Sequence, residues 1–108
     1  MAATEAFETE FLREFANTYV SEITYSGGTW SDIDLIQDQG YLVGLADVLY
    51  VLKTGSVTNS DKRDSDGAFW EVEGTTCHDA NLVIRTQVWC DCYKIRVLNV
   101  AILGENNA

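Results

Sequence analysis

The sequence predicts an α+β domain, with N-terminal helices packed on one face of a C-terminal antiparallel β-sheet of about four strands in a meander. Two periodicities predict it. In the first half apolar residues recur at helical spacing, as in Phe7, Phe11, Phe15 and Tyr19. From Gly67 to Leu103 three runs alternate residue by residue and are joined by two tight connections, the signature of a β-meander. The 108 residues form one domain, helical over about 1–55 and sheet over about 56–103, long enough to bury its own core without staples.

The first helix is expected over 5–20. Phe7, Phe11, Phe15 and Tyr19, with Leu12 and Ala16 beside them, form a stripe most simply read as core. Thr4 is placed to N-cap it, and Glu5 and Glu8 suit the positive end of the helix dipole. Val20 to Tyr25 reads as a short strand and Ser26-Gly27-Gly28-Thr29 as a turn. Ser31-Asp32-Ile33-Asp34 resembles a capping box opening a helix from Asp32 to about Gln39, stopped by Gly40. Leu45, Val48, Leu49 and Leu52 mark a helix from about Gly44 to Lys53, ended by Gly55.

Ser56 to Ser60 is the first strand of the meander, and Asp61 to Gly67 a polar hairpin loop. On the next strand Trp70 and Val72 share one face and Phe69, Glu71 and Glu73 the other. The longest strand runs from Asn81 to Cys90. With Asp91-Cys92 as a two-residue turn, Cys90 pairs with Tyr93, Val88 with Ile95 and Thr86 with Val97. Leu82, Ile84, Val88, Tyr93, Ile95 and Val97 then face the helices. The opposite face carries Val83, Arg85, Gln87 and Trp89 across from Val100, Leu98, Arg96 and Lys94. Either the Lys94 and Arg96 stems lie over Trp89, or the face is a partner or dimer surface including Arg85 and Leu98.

Seventeen acids against seven bases give a net charge of −10. The imbalance lies in residues 1–50, where nine acids meet only Arg13, a net of −8. Such a surface repels phosphate backbones and attracts basic proteins, which argues against direct nucleic-acid binding. No apolar run approaches the ~20 residues of a membrane span. Glu5, Glu8 and Glu10 replace the basic start of a signal peptide. Three cysteines (Cys77, Cys90, Cys92) are an odd number for a secreted disulfide framework, so a reducing cytoplasm is expected.

Candidate chemistry is sparse. Cys77, His78, Cys90 and Cys92 have the composition of a zinc site, but an intervening strand separates the two pairs by roughly 30 Å. Residues 62–73 mimic a calcium loop at Asp64, Asp66, Gly67 and Glu73, but Lys62 stands where the first aspartate belongs. Cys77 and His78 are adjacent without a third group evident to orient the imidazole. No cofactor, metal or catalytic set is expected.

Asp47-Val48-Leu49-Tyr50-Val51-Leu52-Lys53-Thr54-Gly55-Ser56-Val57 fits the signature "DV…VL…G.V", and Phe69-Trp70-Glu71-Val72-Glu73-Gly74-Thr75 fits "W.VEG". Through these, residues 46–100 resemble the small bacterial domains of unknown function related in fold to RelE- and BrnT-type toxins. The resemblance implies helices packed on an antiparallel sheet. Toxin-like members carry a basic segment before the "DV…VL" helix; here Ser26 to Leu42 holds no base and three aspartates. The scaffold carries over and the ribonuclease activity does not.

The expected function is that of a small acidic, non-enzymatic inhibitor, of the anti-CRISPR or anti-defence kind carried by phages and mobile elements. It would block a basic nucleic-acid-binding surface of a partner protein through Glu8, Glu10, Glu14, Asp32, Asp34 and Asp38. Arg85, Trp89, Lys94, Arg96 and Leu98 form a possible second interface. The alternatives are a toxin-like ribonuclease using Arg85, Lys94, Arg96 and His78, and a housekeeping homodimer joined through Trp89 and Leu98.

Overall fold

The computed structural model describes residues 6–62, 67–89 and 94–103. In chain order the elements are α1 (Ala6–Thr18), a 3₁₀ turn (Val20–Glu22), β1 (Ile23–Tyr25), α2 (Gly27–Asp38), α3 (Leu45–Thr54), β2 (Ser56–Lys62), β3 (Ala68–Thr75), β4 (Asn81–Trp89) and β5 (Lys94–Ile102). The strands make one sheet in the order β1-β5-β4-β3-β2. β2 to β5 are the expected antiparallel meander, and β1 joins β5 in parallel as a fifth strand.

One face of the sheet holds the core. Val72, Leu82, Ile84, Val88, Ile95 and Val97 are essentially inaccessible to solvent, each buried side chain worth ~1.5–3 kcal/mol of apolar transfer. Leu12, Phe15 and Ala16 of α1 and Val48, Val51 and Leu52 of α3 join them. The aromatic stripe of α1 is not the buried face as a whole. Phe15 is buried, but Phe7 is 68% and Tyr19 46% exposed, and Thr9, Leu12 and Ala16 are buried instead. A four-residue repeat advances ~40° around the helix at each step. Phe7 and Tyr19 therefore lie about a third of a turn apart and cannot share one buried line. The rings remain in sequence, Phe7 on Phe11 (6.4 Å), Phe11 on Phe15 (6.0 Å) and Phe15 on Tyr19 (5.6 Å), with Phe11 edge-on to Trp70.

The start of α2 corrects the sequence reading. Gly27-Gly28-Thr29 is the first helical turn, and Ser31–Asp34 is not a capping box. The turn is held against β5: Ser26 Oγ donates to the Leu98 carbonyl (2.8 Å) and Thr29 Oγ1 to that of Val97 (2.9 Å). A side chain at Gly28 would begin 3.0 Å from the Leu98 oxygen, so glycine permits the approach. The capping carboxylate belongs to α3, where Asp47 Oδ2 accepts the Gly44 N–H at 2.8 Å.

α3 ends on two glycines. A methyl group at Gly55 would lie 2.6 Å from the Glu73 carbonyl oxygen, and one at Gly74 would lie 2.9 Å from a Val51 methyl and 3.1 Å from the Gly55 Cα. The glycines of the two sequence signatures are thus in contact, and their bare backbones let the helix end settle on β3. The Arg13 guanidinium closes the same corner, donating to the carbonyls of Gly55 (2.8 Å) and Thr54 (3.0 Å). A cation at the negative end of a helix is favourable by charge as well as by hydrogen bonding.

The β4–β5 register matches expectation as far as Thr86–Val97, and then shifts by one residue between Arg85 and Thr86. Leu98 is the extra residue: Arg85 pairs with Asn99, Ile84 with Val100 and Val83 with Ala101. Val100, expected opposite Val83 on the outer face, is instead buried in the core.

Candidate functional site

Three groups of side chains were marked by the sequence, and the fold assigns them different places. The acids of α1 point outward, Glu10 and Glu14 exposed and Glu8 half-buried. On α2, Asp34 and Asp38 are exposed. Asp32 is not free in the same sense, because its Oδ2 accepts the backbone N–H of Val100 at 2.9 Å. α1 packs on α3 and β2 while α2 packs on β5, so the six carboxylates form two groups on elements with different neighbours. The single base of residues 1–50, Arg13, is turned to the backbone carbonyls of Thr54 and Gly55.

The second group lies on the outer face of the sheet, which α1 and α3 do not cover. Alternation and register place Phe69, Glu71, Arg85, Gln87, Trp89, Lys94 and Arg96 there. Lys94 Nζ sits 5.8 Å from the Trp89 ring centre, a contact worth ~0.5–1 kcal/mol at an exposed site. Arg85 reaches Glu71 at 3.6 Å, with 59% and 35% of their side chains exposed; screening leaves such a pair at about 1 kcal/mol or less. Beside them is a shallow cleft of about 360 Å³, lined by Asn59, Asp61, Phe69, Glu71, Arg85 and Leu98 among others. These contacts are weak enough for the side chains of this face to rearrange.

The third group is His78 and Cys77, in the tight loop between β3 and β4. Thr76 Oγ1 accepts the backbone N–H of His78 (3.1 Å) and of Ala80 (3.2 Å), and the Thr76 N–H returns to the Ala80 carbonyl (2.8 Å). Asp79 takes φ = 64° to close the turn, a conformation that aspartate tolerates better than most residues. The sequence showed no group to orient the imidazole. In the fold Asp47 Oδ1 lies 3.8 Å from Nδ1 of the exposed His78, near but beyond hydrogen-bond reach, at the rim of a depression formed by Gln37 and Gly40 to Gly44. Only chain topology brings these two residues, distant in sequence, together. His78 is beside α3, on the covered side, whereas Arg85, Lys94 and Arg96 are on the outer face. The cationic set of the ribonuclease reading is therefore divided between two places.

Among the described residues no three metal-ligating side chains come together, and no helix is long and apolar enough to cross a membrane. Cys90, Cys92 and Tyr93, and Asp64 and Asp66 of the calcium-like loop, lie outside the described residues. Comparison with protein-family models, curated proteins and solved structures finds no match.

Proposed function

We propose that this protein is a small acidic binding protein that occupies a basic, nucleic-acid-binding surface of a partner in the cytoplasm, in the manner of an anti-defence inhibitor. The observation that carries the reading is the electrostatic imbalance of the helical half. Residues 1–50 hold nine acids and one base, and that base is drawn in to cap α3. Glu10, Glu14, Asp34 and Asp38 are left presenting carboxylates to solvent on two helices. Carboxylates spaced along helices offer Lys and Arg side chains the charge they otherwise find on phosphates, which raises association rates with basic surfaces and excludes acidic ones. Partner recognition then needs no catalytic group, cofactor or metal.

The test is capture from a host lysate with wild-type protein and with a variant in which Glu10, Glu14, Asp34 and Asp38 are all changed to Lys. Asp32 is left intact because it holds β5. Wild type should retain a nucleic-acid-binding protein at ~0.1 M salt, release it at ~1 M, where the Debye length shrinks to ~3 Å, and displace its nucleic acid. The variant should do neither. A variant that captures and displaces as well as wild type overturns the reading.

A further inference from the structure

The register of the outer sheet face shows a pattern that the acidic helices do not explain. Read across the strands from β2 to β5, one row is Asp61, Phe69, Gln87, Arg96 and the next is Asn59, Glu71, Arg85, Asn99. The β2–β3 half thus carries Asp61, Glu71 and, one row on, Glu73. The β4–β5 half carries Arg85, Arg96 and Lys94. Among the described residues of these four strands three acids stand against three bases on this face, with Asp32 of α2 at the rim beside Asn99, in a chain whose net charge is −10. The opposite charges are thus sorted onto opposite halves of one face.

We infer that this face is a self-association surface, on which two copies stack sheet on sheet about a two-fold axis parallel to the strands and between β3 and β4. That operation exchanges the two halves and leaves each row opposite itself. Asp61 of one copy then faces Arg96 of the other, Glu71 faces Arg85, Phe69 faces Gln87 and Asn59 faces Asn99. Every charge in both rows meets its opposite, and each pairing occurs twice, as an isologous interface requires. Packed sheets cross at about −30°, so the correspondence is closest at the axis, where Glu71 and Arg85 lie. Half-buried Phe69, Val83, Trp89 and Leu98 supply the apolar area. Four strands at ~4.8 Å spacing, of seven to nine residues each at ~3.4 Å, present roughly 500–600 Å² of flat area before side-chain relief is added. That approaches the ~800 Å² per partner of a standard interface.

Two single charge reversals test the arrangement, E71K and R85E, with folding of both verified by circular dichroism. Sedimentation equilibrium over a concentration series should show wild type as a dimer and each variant alone as a monomer, because each sets like charges opposite one another twice. An equimolar mixture of the two should sediment as a dimer. In that mixed pair the introduced lysine of one copy faces the introduced glutamate of the other, and the retained Arg85 faces the retained Glu71. Wild type that stays monomeric, single variants that remain dimeric, or a mixture that stays monomeric each overturns the inference. Both variants keep Glu10, Glu14, Asp34 and Asp38, the carboxylates exchanged in the capture experiment, so capture of a basic partner stands or falls separately.

Discussion

Along β4, Leu82, Ile84, Thr86 and Val88 are buried while Val83, Arg85, Gln87 and Trp89 alternate with them on the other face. The two sets share a backbone and the same hydrogen bonds, yet they do different work. The covered set lies under α3 in the common core. The outer set is joined by an exposed ion pair and a cation–π contact, each worth about 1 kcal/mol or less. Stability is therefore concentrated on one side of a single strand, and the other side holds only weak, exposed contacts.

Adjacent substitutions expose this contrast most sharply. In urea titrations at dilutions where the chain is monomeric, Ile84→Ala should lower the unfolding free energy by about 2–5 kcal/mol, while Arg85→Ala should change it by about 0.5 kcal/mol or less. A comparable loss for both would mean that the outer face is also part of the fold's foundation. Next in size is Gly55→Ala, which places a methyl group 2.6 Å from the Glu73 carbonyl oxygen; a cost of about 1–3 kcal/mol is expected, read as a lower thermal midpoint. On α2 the same contrast recurs among like residues. Asp32→Ala should cost about 1 kcal/mol by removing the acceptor for the Val100 N–H, whereas Asp34→Ala should leave stability unchanged within error.

The smallest effect is alkaline. Burial raises the Tyr25 phenol above its ordinary value of 10. The unfolded chain releases this proton first, so the stability from keeping the phenol neutral is complete below ~10 and is lost as pH rises through the folded value. Comparison of wild type with Tyr25→Phe by ultraviolet titration should show the Tyr25 tyrosinate band appearing above pH ~10.

The sheet was legible where alternation was strict. Val88–Ile95 and Thr86–Val97 follow directly from the apolar parity of both strands. The bulge was hidden because Val97-Leu98-Asn99-Val100 offers an apolar residue at either parity; the polar Asn99, three residues before Ile102, was the available clue. The early start of α2 was concealed by two glycines that read as a turn. Thr29, Ile33 and Ile36, which share the buried face, carried the helical period, but Thr29 does not register as apolar. The acidic residues were legible as a composition and not as a site. Nothing local to Asp32 announces that its partner is an amide on β5, and nothing local to His78 announces Asp47.

The contacts of α2 with β5 have one more consequence. β1 covers β5 only over Ile95–Val97, which would leave the remaining amides and carbonyls as a template for a foreign strand. Ser26 and Thr29 occupy the carbonyls of Leu98 and Val97, and Asp32 occupies the amide of Val100. The helix thereby ends the sheet with side chains in place of another strand, a safeguard against edge-to-edge aggregation. Loosening α2 with Thr29→Ala and Asp32→Ala together should therefore promote fibrillar association through β5 before it unfolds the domain.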